Sequence, residues 1–377
     1  MTMTMTAESE QQTLPPVVED MSAFIIAGAV SADANKFDRE TEGRTPAQGL
    51  QDGVDAERLG FGRVWLSERW DIKQADVILS GVAARTSCLE VCTGVIAPMT
   101  RRLWAVASLA ATMQACYGER FVLGLGRGDS GGMRALGAQA TSFTTLLDYV
   151  DICQRLWRGE TVSYDGPAGQ LQQFAFSETY PGKPPPVWFA GFANEMAAEA
   201  IAKAFDGVML PPTVTPEFVA GAKERITAAC ERFDRDPADV RIAVPVVTAP
   251  DLDEVESMSV SAGRIVTYLE HRYYGDALAR ANKWDPKIVE RLRNHEQFQA
   301  LGRPADFAFH RHQLLGPASL LPLEWIHDTC AIGTAEEVVA NLQRFIDAGA
   351  DEIATYGSTP RQNADMITAW RSRRQQP

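Results

Sequence analysis

Two short runs end in small residues beside a charge, the pattern that lets backbone approach a flat ligand closely. The first is Thr93-Gly94-Val95, inside an apolar, β-branched stretch closed by Pro98. The second is Gly124-Leu125-Gly126-Arg127-Gly128-Asp129. Its glycines lack the spacing of a dinucleotide fingerprint and no Lys-Ser/Thr pair follows, so it is neither standard phosphate loop. Alone, it reads equally as a glycine-rich exit with a solvated Arg127 and Asp129. Ser67-Glu68-Arg69-Trp70 sets an acid beside a guanidinium, which a rim ion pair would also explain. Ala190-Gly191-Phe192-Ala193-Asn194 closes an apolar run and opens a helix, where N–H groups could receive a phosphate or simply form a turn. His310-Arg311-His312, Trp325 and His327 could bring titratable groups above such a site. Two histidines two apart are too few for a metal centre, and no metal is expected.

The elements that would position these residues alternate. Between the first two motifs lies a helix whose Leu103, Val106, Ala107, Ala110, Ala111, Met113 and Gln114 fall near the spacing of a buried face, giving a βαβ unit. Strands are expected at 24–29, 62–66, 88–95, 120–125, 186–190, 206–210, 240–249 and 351–355. Helices are expected at 46–59, opened by Thr45-Pro46, and at 74–85, 103–117, 141–158, 194–204, 215–233, 334–348 and near 362–374. Eight strands alternating with helices point to a single (β/α)8 TIM barrel rather than an open doubly wound sheet. Both motifs then lie at one end, on neighbouring strands.

Two stretches break the rhythm. Residues 160–185, after the fourth helix, carry Gly and Pro turn chemistry suited to a hairpin-like edge insertion. Residues 251–328 are too long for one crossover and read as a helical excursion between strands seven and eight, folding over the mouth. Residues 1–21 are polar and acidic and are expected to be a tail, leaving 22–377 as the barrel domain.

Composition narrows the partners. With 36 basic and 49 acidic residues the net charge is −13, which disfavours nucleic acid and anionic membranes and leaves small molecules. No run resembles a membrane helix or a signal peptide, so a cytoplasmic location is expected. The six cysteines show no metal spacing and read as reduced core thiols.

Thr93-Gly94-Val95-Ile96-Ala97-Pro98, Arg101-Arg102, Ala105–Thr112 and Gly118 through Asp129 together resemble the bacterial luciferase-like superfamily. The branch using the deazaflavin coenzyme F420 is nearest in pattern. The likeness extends to Pro186–Gly191 and to Ile332–Val339. It implies a barrel whose carboxyl-end pocket holds a flavin-like ring over a bulge in the third strand, with a non-proline cis peptide at Gly94-Val95. It implies that Thr93, Gly94, Val95, Arg127, Gly128, Ala190, Gly191, Phe192 and Ala193 contact the cofactor, and that Asp129 donates a proton as hydride moves. Phe192 stands where many relatives carry a smaller residue. Glu68 keeps the acid of related sugar-phosphate dehydrogenases, but Arg69 replaces the histidine that follows it. Arginine stays protonated and serves poorly as a base, so reduction is favoured over alcohol oxidation. An FMN-dependent monooxygenase of the same fold and a non-catalytic cofactor-binding protein are the alternatives. The resemblance also implies a homodimer.

Overall fold

The structure, a computed structural model, describes residues 14–28, 44–69, 73–128, 133–134, 136–138, 141–299, 301 and 304–374. Eight parallel strands close on themselves: β1 Val18–Phe24, β2 Phe61–Leu66, β3 Glu90–Thr93, β4 Phe121–Gly126, β7 Val187–Ala190, β8 Gly207–Met209, β9 Arg241–Pro250 and β11 Glu352–Tyr356. β5 (Val162–Gly166) and β6 (Gly169–Phe174) form a separate antiparallel hairpin, the expected insertion. β10 (Cys330–Gly333) is a strand the sequence reading missed. It pairs only with the upper half of β9, while the lower half closes the barrel against β11.

Closure is visible in one ring of side chains. Phe24, Trp65, Cys92, Val122, Trp188, Met209, Ala243 and Ala354 come one from each barrel strand and pack together in the interior. Period-two alternation puts them on the inner face, while neighbouring residues face the helices. Trp65 and Trp188 lie 5.2 Å apart and fill most of the bore. Below them, toward the amino ends of the strands, Glu352 is fully buried against Arg63 at 3.3 Å and Arg241 at 3.1 Å. The barrel therefore has an ionic floor beneath an aromatic plug.

β1 lies upstream of its expected place, and residues 18–21, assigned to the tail, are strand. The reason is that the strand's charges have partners: Asp20 accepts from the Trp370 indole at 3.0 Å and pairs with Arg374 at 2.6 Å. Helix boundaries follow their caps. Ser142, Asn194 and Thr215 each accept from a backbone N–H at the helix start, and Thr334 forms a capping box with Glu337. Cys92, Cys153, Cys230 and Cys330 are buried as expected, but Cys88 and Cys116 are exposed. Among the described residues no helix is long and apolar enough to cross a membrane.

The described parts of 251–328 are mainly helical, including Glu254–Glu270, Arg272–Ala281 and Pro286–Arg293. They touch the carboxyl ends of three strands. Asp306 pairs with Arg69 beyond β2, Tyr274 meets Phe192 beyond β7, and the Tyr268 hydroxyl bonds that of Tyr356 on β11.

Candidate active site

The site begins where β3 leaves the ladder. The Thr93 hydroxyl accepts from the Gly124 N–H at 2.8 Å and donates to the Gly124 carbonyl at 2.9 Å. The next peptide, Gly94–Val95, is cis, as the resemblance implied. The chain then rejoins β4: the Ile96 N–H donates to Gly124 and the Gly126 N–H donates to Ile96, both at 3.0 Å. The Ser67 hydroxyl donates to the Gly94 carbonyl at 2.7 Å, so β2 holds the bulge from its other side.

This geometry explains the Gly-x-Gly spacing. A Cβ on Gly124 would stand 1.9 Å from the Thr93 carbonyl oxygen, and one on Gly126 would stand 2.6 Å from a Val95 methyl. The glycines thus seat the bulge against β4 rather than cradle a phosphate. Gly94 and Val95 are half-buried at the mouth, whereas Thr93 is fully buried. Thr93, expected as a cofactor contact, is held here by both hydrogen bonds of its hydroxyl to Gly124.

Glu68 and Arg69 do not pair with each other. Glu68, its carboxylate almost wholly buried, is held by Arg101, which also binds Asp76 at 2.8 Å and Gln74 at 2.6 Å. Burial pushes the Glu68 carboxyl up, and Arg101 only partly opposes it. Arg69 pairs instead with Asp306 at 2.9 Å, joining β2 to the excursion. Arg127 is exposed; its Nε donates to the Thr141 carbonyl at 2.6 Å and its guanidinium lies 4.5 Å from the Phe143 ring. Gly128 has φ 76°, which favours glycine. Asp129 and Trp70 lie outside the described residues.

At the end of β7, Ala190 is half-buried above the interior ring and Gly191 has φ 151°. Ala193 is fully buried and its carbonyl accepts from Arg225 at 2.6 Å. Phe192 turns toward Tyr274, 5.4 Å away, and Phe218, 6.0 Å away. The following helix, Glu195–Ala204, starts exposed, but Glu195 puts a carboxylate at the end where a phosphate was expected.

Sequence reasoning missed the aromatic wall. Phe192 meets Tyr274; Tyr274 lies 5.0 Å from Tyr268; Tyr268 and Tyr356 share a hydroxyl hydrogen bond of 2.8 Å; Tyr356 meets Phe24 edge-on at 4.9 Å. Arg264 stands over this arc, 5.2 Å from Tyr356 and 5.9 Å from Tyr268. The i,i+4 spacing of Arg264 and Tyr268 on an otherwise buried helix was the available signal. Of the expected titratable residues, Arg311 and His312 both engage Glu256, the latter at 2.5 Å, and Arg311 reaches the Gly357 carbonyl beyond β11 at 3.5 Å. Burial, then His312 and Arg311, push His310 down to about 4. Trp325 stacks on Trp284 at 4.4 Å inside the excursion, and His327 is exposed, so neither joins this cluster.

Comparison with known proteins agrees with this architecture. The luciferase-like monooxygenase family pattern matches residues 28–352, and the chain belongs to that family. It is 25% identical over 211 residues to a 5,10-methylenetetrahydromethanopterin reductase of Methanolobus tindarius, covering 55% of this chain and 62% of that protein. It is 26% identical over 226 residues to an F420-dependent glucose-6-phosphate dehydrogenase of Microbacterium testaceum, covering 55% and 66%. In each case the matched part is under two thirds of the relative. In fold it resembles the coenzyme F420 dependent tetrahydromethanopterin reductase of Methanopyrus kandleri, with a TM-score of 0.73, 17% identity and coverage of 94% and 98% of the two chains.

Proposed function

We propose that this protein is an F420-dependent oxidoreductase that reduces a small organic substrate. The observation that carries the reading is the floor at the barrel mouth: Gly94 and Ala190, small and half-buried, rest on the layer of Phe24, Trp65 and Trp188, with half-buried Val95 beside them against the glycines of β4. A Cβ on Gly94 would come within 3.1 Å of the Phe24 ring, so glycine lets the bulge settle closely onto that layer. A planar, largely apolar ring fits such a floor, and names of the relatives support F420 as its owner.

The deazaflavin supplies two-electron hydride chemistry. The chain supplies the rest. The bulge fixes the plane on which the ring lies, the Tyr268–Tyr274–Tyr356 arc excludes water above it, and Asp129 gives a proton to the reduced substrate. Arg69, tied to Asp306, stands in place of a histidine base, and the neighbouring Glu68 carboxyl is held by Arg101, which favours reduction.

Anaerobic mixing with reduced F420 and a panel of conjugated carbonyl compounds should consume coenzyme and substrate together. Asp129→Asn should keep cofactor binding and slow consumption by about a hundredfold or more. A strict need for dioxygen would instead indicate FMN chemistry, and unchanged turnover in the variant would remove Asp129 from the reaction.

A further inference from the structure

Among the described residues, the mouth contains a guanidinium with no carboxylate paired to it; Asp306, which acts on it through space, is itself paired with Arg69. Arg44 pairs with Asp52, Arg69 with Asp306, and Arg311 with Glu256. Arg264 is half-buried over two tyrosine rings, and no side chain among the described residues accepts a hydrogen bond from it or pairs with it. A cation in so enclosed a position ordinarily has a counter-ion. A second observation lies beside it. Arg311 packs on the same helix, where a Cβ on Gly263 would stand 3.3 Å from the Arg311 carbonyl oxygen. The buried Arg311 Nε–H has no acceptor among the described residues. Burial lowers Arg311, and Arg264 and Arg44 lower it further by like-charge repulsion, against the pull of Glu256. Two guanidiniums, Arg264 and Arg311, thus lie close enough to repel each other, although the chain as a whole is acidic at −13.

We propose that the substrate is a planar conjugated acid whose carboxylate pairs with Arg264, within reach of the Arg311 side, while its unsaturated body lies along Tyr268 and Tyr356. A guanidinium presents donors in a fork that matches a carboxylate, and the neighbouring rings of Tyr268 and Tyr356, joined through their hydroxyls, offer aromatic surface to a flat, unsaturated body. This assignment rests on the mouth being the substrate site proposed above, but not on which cofactor occupies it. The deazaflavin's own acidic tail is the other possible source of an anion, and the test separates the two.

Calorimetric titration of the full chain with cinnamate and with its neutral amide, cinnamamide, measures the acid's advantage directly, with and without F420 present. Cinnamate should bind about ten- to a hundredfold more tightly than the amide, as expected for a charge-assisted contact in an enclosed site. Arg264→Gln should erase that difference and leave F420 affinity within about twofold, while Arg264→Lys should keep part of it. Equal affinities for acid and amide, or no saturable cinnamate binding at millimolar concentration, would overturn the proposal. So would an Arg264→Gln variant that loses F420 but keeps the acid–amide difference, because Arg264 would then hold the cofactor's tail. If cinnamate binds through Arg264 while F420 does not bind at all, the acid site stands and only the cofactor reading fails.

Discussion

Gly124→Ala should abolish cofactor binding. The added methyl would meet the Thr93 carbonyl oxygen at 1.9 Å, a contact with backbone that no side-chain rotation relieves. Either β3 moves away from β4 or the bulge opens. Both outcomes break the paired hydrogen bonds of the Thr93 hydroxyl with Gly124 and displace Gly94 and Val95 from the floor of the mouth. Overpacking of this kind costs about 1–3 kcal/mol, more when backbone is the obstacle, so stability should fall as well. Circular dichroism melting beside an F420 titration separates the two effects. Thr93→Val, which keeps the shape but loses the hydroxyl, should give a milder version of the same defect. If Gly124→Ala binds F420 as the parent does, the bulge does not form the ring's floor.

The second large effect lies at the opposite end of the barrel and should spare the site. Glu352 is fully buried among Arg63, Arg241 and the Trp65 indole, which donates to it at 3.3 Å. Glu352→Ala leaves Arg63, itself largely buried, with Glu90 alone at 2.7 Å. Removing one partner of a buried ionic cluster typically costs about 3–5 kcal/mol, because the remaining charge stays desolvated. Urea unfolding should show that loss, with F420 affinity little changed in the protein that remains folded. A loss below about 1 kcal/mol would mean that water or rearrangement satisfies Arg63, and the floor would not be a structural keystone.

These two sites differ in how far the sequence announced them. Alternation of apolar runs and amphipathic stretches was enough for eight strands and a barrel, whereas the bulge with a cis bond at Gly94–Val95 was implied only by the resemblance to the luciferase-like superfamily. Its cause, two glycines on the next strand making room for it, becomes visible only once β3 and β4 are side by side. β1 was misplaced because acidic residues in a strand look like solvent-facing tail until Trp370 and Arg374, some 350 positions later, receive them. β10 was missed because a four-residue strand beside an already complete barrel adds little periodic signal.

Side-chain direction was the least legible. Thr93 and Ala193 are fully buried, and Phe192 packs into an aromatic wall with Tyr274. The wall joins residues from β1, β7, β11 and the excursion, contacts that span as many as about 330 positions, as between Phe24 and Tyr356. No local spacing encodes such a meeting. The mouth's specificity therefore lies in the segment least readable from sequence, consistent with a shared barrel whose substrate is chosen by its insertions.

The central claim is that the mouth holds a deazaflavin. Fluorescence titration of the purified protein with coenzyme F420, and in parallel with FMN, tests it most directly. Saturable binding of F420 at micromolar concentration or tighter, with FMN binding much more weakly, is the expected result. Preference for FMN, or binding of neither, would contradict it.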